Sequence, residues 1–210
     1  RIKRLYDKDS HVVYPPVDIE QVTPSHDHDD FYLMVTALVP YKRVDLAIQT
    51  FTELKKPLVV IGSGPDHTSL SRMAGPTIRF LGWQPDDVVQ THYQRCRALV
   101  LPGLEDFGIV PVEAMASGKA VIAYQAGGVM ETVVPLSGGT QDQPQPTGIL
   151  FPRQSISSLS QAIKTFEANE SAFDSGEIWK HAQRFNRAVF RTRITSLIHQ
   201  WYDEFTRNQQ

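Results

Sequence analysis

From residue 31 onward, short apolar runs alternate with segments whose apolar residues recur at helical spacing. FYLMVTAL (31–38), PLVVIG (57–62), TIRFLG (77–82), RALVLP (97–102), AVIAY (120–124) and GILF (148–151) read as strands. Several are apolar throughout, as expected for strands covered on both faces. VDLAIQTFTEL (44–54) is the clearest helix, because Val44, Leu46, Ala47, Ile48, Phe51 and Leu54 form one broad stripe. PDHTSLSRMA, PDDVVQTHYQRC and PVEAMAS repeat that spacing between later strands. The alternation predicts an α/β fold, a Rossmann-like parallel sheet with helices on both faces.

The flanks read differently. YPPVDIEQVTPSHDHDD is a proline-stiffened, acidic linker, and PLSGGTQDQPQPT (135–147) is a flexible surface loop. Helical periodicity resumes over 155–168. From about 174, Trp179, Phe185, Phe190, Ile194, Ile198, Trp201 and Phe205 predict two more helices, whose aromatics need a surface to pack on. Trp179 and Trp201 read as packing residues rather than a carbohydrate platform.

With 210 residues, 41% of them hydrophobic, the chain suits one large domain or a domain with an appendage. Lys and Arg number 21 against 23 Asp and Glu, a net charge of −2, so no global field gathers nucleic acid and any phosphate site must be local. The single cysteine, Cys96, cannot form an internal disulfide and reads as a small buried thiol, which fits a cytoplasmic location. The longest apolar runs fall far short of the roughly 20 residues that span a bilayer. The opening RIKRLYDKDSHVVYPPVD lacks an initiator Met, which leads us to expect a fragment of a longer protein.

Ligands of doubly wound sheets bind beyond the carboxyl ends of the strands, where loops turn into helices. Three such junctions carry unusual residues: VPYKRVDL, GSGPD and GLEDFGIVPVE. Lys42 and Arg43 stand at a helix entrance, where cations oppose the macrodipole and a nearby anion would help explain them. The Gly62-Ser63-Gly64-Pro65 loop admits two readings, a phosphate cradle or a tight turn into a helix. It is neither the dinucleotide fingerprint G-x-G-x-x-G nor a Walker loop. In the third junction Pro111 suits a helix over Ile109 to Ser117 with Gly118 as the stop, so the amides of Phe107, Gly108 and Ile109 point out of its start. Glu105 precedes those amides and Glu113 follows them. The pair admits a metal site, an acid/base couple, or two acceptors for ligand hydroxyls with phosphates between them; the last uses every part of the stretch. His26, Asp27, His28, Asp29 and Asp30 read as solvated linker residues rather than metal ligands.

E-D-F-G-I-V-P-V-E-A-M-A-S-G resembles the E-x7-E signature of the retaining glycosyltransferases of family four, which have the two-domain GT-B fold. YPPVD, LVPYKRVDLAIQTF, IGSGPD and AGGVMETVV resemble that family's second-domain linker, first strand and helix, second junction and post-signature loop. The resemblance implies one half of a GT-B fold: 1–30 as interdomain linker, 31–170 as the nucleotide-sugar-binding domain, and 171–210 as helices that pack on an N-terminal domain outside this chain. It implies that Glu105 accepts hydrogen bonds from the donor sugar, Glu113 from the ribose, and that the amides of Phe107, Gly108 and Ile109 hold sugar and diphosphate. Lys42 matches the lysine that neutralises the leaving diphosphate. The arginine usual after the first strand is Ala37 here, and Arg43 is the candidate to supply the missing charge. Backbone from Leu81 and Gly82 to Gln84 lines the base pocket, and Gly62 belongs to the second junction. Glu131 matches an acidic position and also suits a helix start. The implied reaction is hexosyl transfer from UDP-glucose or GDP-mannose to a saccharide or lipid-linked acceptor in polysaccharide assembly, with no metal or other cofactor, at the membrane surface or free of it. A noncatalytic nucleotide-sugar-binding module and a GT-B sugar-nucleotide epimerase are the alternatives.

Overall fold

The computed structural model describes residues 2–136 and 144–207; part of the expected 135–147 loop therefore lies outside the described residues. Among them, six strands form one parallel sheet: β1 (Tyr32–Val35), β2 (Leu58–Ile61), β3 (Ile78–Gly82), β4 (Ala98–Leu101), β5 (Ala120–Tyr124) and β6 (Gly148–Phe151), in the order β3-β2-β1-β4-β5-β6. The order reverses between β1 and β4, so the loops after these strands diverge and leave a crevice at their carboxyl ends. The helices are α1 (Ile2–Tyr6), α2 (Val44–Leu54), α3 (His67–Met73), α4 (Asp86–Arg95), α5 (Ile109–Ala116), α6 (Val129–Thr132), α7 (Ile156–Ala168), α8 (Ser175–Ala182) and α9 (Arg187–Arg207). α2, α3 and α7 pack together on one face, with α4, α5, α6 and α8 on the other. Covering both faces explains why β2 and β4 are buried at every position.

The sheet is shorter than its first apolar run. β1 ends at Val35, not Leu38, because Thr36 and Leu38 donate to the carbonyls of Ile61 and Ser63 and carry the pairing into a loop. α2 occupies the expected 44–54, burying Leu46, Ala47, Ile48 and Phe51. Its start is unusual: a 3-10 turn at Pro40–Lys42 leads into Arg43, whose φ of 52° is left-handed.

Residues 17–31 lie against the sheet domain. Val17 and Ile19 are buried, Val17 bridges to Asn186, and Trp179 donates its indole N–H to the Val22 carbonyl at 2.9 Å. The polar run that follows is used in ion pairs and backbone bonds. Arg95 grips Asp29 through two bonds, Arg97 reaches Asp30, His28 lies 3.3 Å from Glu170, and Lys119 donates to the Asp27 carbonyl. The same Arg97 bonds Glu167 and Glu170, so these charges staple the amino-terminal ends of β1 and β4 to α7. Cys96 is fully buried, and burial pushes its thiol up to about 12, so it is a packing group and not a nucleophile.

At the other end, α8 packs on α5 through Ile178 and Ala182, followed by Phe185, all buried. α9 has no buried residue; Ile198, Trp201, Tyr202 and Phe205 are exposed, although Trp201 meets His11 edge to face.

Candidate active site

The loops after the strands interlock at the crevice. The Gly62 amide donates to the Gly82 carbonyl at 2.8 Å, and the Gly128 amide to the Glu105 carbonyl at 2.7 Å. Gly103, after β4, sits against the 3-10 turn after β1: a Cβ there would lie 2.7 Å from the Lys42 Cα and 2.9 Å from the Tyr41 and Lys42 carbonyl oxygens. This close approach brings Lys42 and Glu105 together. The Lys42 ammonium donates to both Glu105 oxygens, at 2.7 and 2.8 Å, with each side chain less than one-fifth exposed.

α5 begins four residues after Glu105. Gly108 is its N-cap, at φ 85° and ψ 85°, a region that a residue with a Cβ adopts only with strain. No side chain caps this helix, and among the described residues the amides of Phe107, Gly108 and Ile109 have no protein acceptor. Pro111 lies in the first turn, where its lack of an N–H costs nothing. The result is a helix start with free donors and a partial positive charge, suited to an anion. The Phe107 ring fixes this loop from behind, stacked on Tyr14 at 5.7 Å and meeting Phe185 edge on at 5.7 Å. Tyr14 in turn donates to Glu131 at 2.9 Å. Glu131 thus has a protein partner of its own.

Glu113, one turn into α5, is held elsewhere. Its Oε2 accepts from the Tyr93 hydroxyl at 2.9 Å, and it lines a cleft of about 380 Å³ with Asp18, Ile19, Asp86, Asp87 and Gln90. Burial raises the Glu113 carboxyl above its usual range, the Tyr93 bond opposes this, and Asp86 adds to it. The two glutamates therefore have different partners and do not form a carboxylate couple.

The remaining expected residues are placed as follows. Arg43 is paired with Asp45, at 3.1 and 3.2 Å, and not with Glu105. The Gly62 amide is already used by Gly82, so that junction is a stitched turn. Leu81 is half-buried, its carbonyl accepting from the Gln84 side chain at 2.6 Å, and Trp83 beside them is 73% exposed. Sequence reasoning missed Tyr93 and Gly103. Tyr93 stands 20 residues from Glu113, beyond any local spacing rule, and Gly103 was hidden among ordinary loop residues.

A family model described as glycosyl transferases group 1 matches residues 18–189. The chain belongs to this family. Its relatives include an uncharacterized glycosyltransferase of Methanocaldococcus jannaschii, 28% identical over 185 residues, covering 85% of this chain and 52% of the relative. The alpha-1,3/1,6-mannosyltransferase ALG2 of Kluyveromyces lactis is 28% identical over 221 residues, covering 79% and 44%. The chain thus spans about half the length of these relatives. Among solved structures, sucrose-phosphate synthase from Thermosynechococcus elongatus aligns with a TM-score of 0.79 at 20% identity, covering 97% of this chain and 56% of that one. Anabaena HepE in complex with UDP-glucose aligns with a TM-score of 0.71 at 22% identity, covering 90% and 57%. Both likenesses match the Rossmann-like fold expected from the strand and helix pattern. The group 1 match begins at Asp18, inside the segment whose Val17 and Ile19 pack into the core, and ends at Val189, in the first turn of α9.

Proposed function

We propose that this chain is the donor-binding half of a retaining glycosyltransferase that moves a hexose from a nucleoside-diphosphate sugar to a saccharide or lipid-linked acceptor in polysaccharide assembly. The observation that carries this reading is the Lys42–Glu105 pair beside an uncapped α5 start with acceptor-free amides. Diphosphate is the ligand that uses both features. Its oxygens accept from the amides of Phe107, Gly108 and Ile109, and the positive end of α5 and Lys42 offset its charge. Lys42 has three donors, so it can keep Glu105 while binding a phosphate oxygen. Lys42 also shields the diphosphate from the Glu105 charge, leaving that carboxylate to accept from sugar hydroxyls.

As the sugar–phosphate bond breaks, negative charge grows on the leaving diphosphate, and the fixed donors stabilise it without reorganising. The leaving phosphate takes up the acceptor's proton, so neither glutamate is a nucleophile and no metal is required. Arg43 would have to leave Asp45 to assist. Two donors deserve testing, UDP-glucose and GDP-mannose; the fold shared with a UDP-glucose complex supports the first, and kinship to a mannosyltransferase the second. Half-length coverage and the exposed apolar residues of α1 and α9 support a second domain that carries the acceptor site and packs on Ile2, Leu5, Ile198, Trp201 and Phe205.

Lys42→Ala in the full-length protein tests the reading. Charge-assisted bonds contribute about 1.5 to 3 kcal/mol each, so donor affinity or turnover should fall by about one to two powers of ten. Wild-type kinetics would remove Lys42 from the site. Free-sugar release or epimerisation without any acceptor-dependent product would favour the epimerase alternative.

A further inference from the structure

We infer that Tyr93 is a positioning residue for donor binding: its buried hydroxyl fixes the Glu113 carboxylate in the orientation that receives the ribose hydroxyls. This rests on the ribose role proposed for Glu113.

Tyr93 projects from α4 into the core and is 2% exposed, and its hydroxyl lies 2.9 Å from Glu113 Oε2. Its polarity is fixed. Burial and the neighbouring carboxylate hold the phenol well above its ordinary value, so while Glu113 is ionised the phenol donates and the carboxylate accepts. The bond satisfies one oxygen of Glu113, while the carboxylate borders the cleft beside Asp18, Asp86, Asp87 and Gln90. A second contact braces the same two helices one turn further on, where Gln90 donates to the Ser117 hydroxyl at 3.0 Å and Ser117 to the Glu113 carbonyl at 3.1 Å. Tyr93 and Gln90 therefore clamp both the side chain and the backbone of Glu113.

A tyrosine needed only for packing would not require a carboxylate partner. Burying a carboxylate beside three other acids costs stability, and water or a backbone carbonyl could satisfy a phenol. Ligand recognition gives the arrangement a use. An ionised acceptor bonds a hydroxyl more strongly than a neutral one, and a carboxylate free to rotate would lose conformational entropy at each binding event. The groups facing Glu113 are Tyr93, Asp86 and Asp87 from α4 and Asp18 from the incoming segment, the last paired with Arg187 at 2.9 Å. Of these, only the Tyr93 hydroxyl donates to the carboxylate and opposes its protonation.

The test is a double-mutant cycle in the full-length protein, reading UDP and GDP affinity by calorimetry between pH 5 and 8. Tyr93→Phe removes one oxygen and keeps the core ring. Nucleotide affinity should fall about tenfold, with kcat at saturating donor unchanged, and the acid-side loss of affinity should begin at a higher pH than in the wild type. In the Glu113→Ala background the same change should alter affinity less than twofold. Equal losses in both backgrounds, or an unmoved acid limb, would overturn the positioning role. If Glu113→Ala itself leaves affinity unchanged, the ribose assignment fails; if it weakens binding and Tyr93→Phe does not, the positioning role alone fails.

Discussion

Gly103→Ala probes the contact on which the crevice depends. Gly103 has no Cβ, which lets the loop after β4 lie against the backbone of Tyr41 and Lys42. An alanine methyl would meet the Lys42 Cα at 2.7 Å and two carbonyl oxygens at 2.9 Å. These are backbone atoms of a 3-10 turn held by its own bonds, including Arg43 N–H to the Pro40 carbonyl at 3.1 Å, so no flexible side chain can swing aside. Restoring ordinary contact needs a withdrawal of about 1 Å, and overpacking of this kind costs about 1 to 3 kcal/mol. Each kcal/mol lowers Tm by about 2 to 4 °C in a chain of this size. A shift of that size also displaces Lys42 relative to Glu105, so the bonds now at 2.7 and 2.8 Å survive only if both side chains rearrange. Thermal unfolding and UDP or GDP titration should therefore show a lower Tm and weaker nucleotide binding together. A variant with wild-type Tm would refute the steric reasoning. A lower Tm with unchanged nucleotide affinity would refute the link from that contact to the site.

Arg43→Ala removes an ion pair whose side chains are 33% and 40% exposed, so stability should change by no more than about 0.5 kcal/mol. Donor affinity should fall several-fold, and unchanged affinity and turnover would exclude Arg43 from charge compensation. His181 donates its Nε2–H to the Thr132 carbonyl at 2.8 Å, and burial lowers its pKa from the ordinary 6.5. The unfolded chain then takes up the proton first, so stability is intact above pH 6.5 and is lost as pH falls from there toward the depressed folded value. Urea titrations from pH 7.5 to 5 should show that loss, and His181→Gln should remove part of it; an identical slope in the variant would dismiss His181 as its source.

Strands and helices were legible wherever burial on both faces wrote itself as an apolar run. AVIAY, GILF and VDLAIQTFTEL match β5, β6 and α2 residue for residue. The first run overshot because Thr36 to Leu38 are apolar enough for a strand but bond a loop instead. Val17 and Ile19 were masked by the acids and prolines around them, since two core residues make no periodicity. In the site, Glu105, Lys42 and the amides before α5 could be named from local motif and spacing. Their pairing could not, because it depends on Gly103 bringing two loops into contact 60 residues apart in sequence. The Tyr93–Glu113 bond is equally nonlocal, and the Arg43–Asp45 pair shows that a cation proposed for a ligand can be occupied by its sequence neighbour.

The backbone stitches around the crevice, Gly62 to Gly82, Gly128 to Glu105 and Gly103 against Lys42, constrain how this protein can be re-engineered. Each loop is welded to the next by main-chain atoms, so lengthening or grafting one of them would disturb its neighbour before it altered any ligand. Side chains that project from the rim, such as Trp83, carry no such obligation. Libraries aimed at the proposed donor site should therefore randomise those projecting positions and leave the glycines and loop lengths untouched.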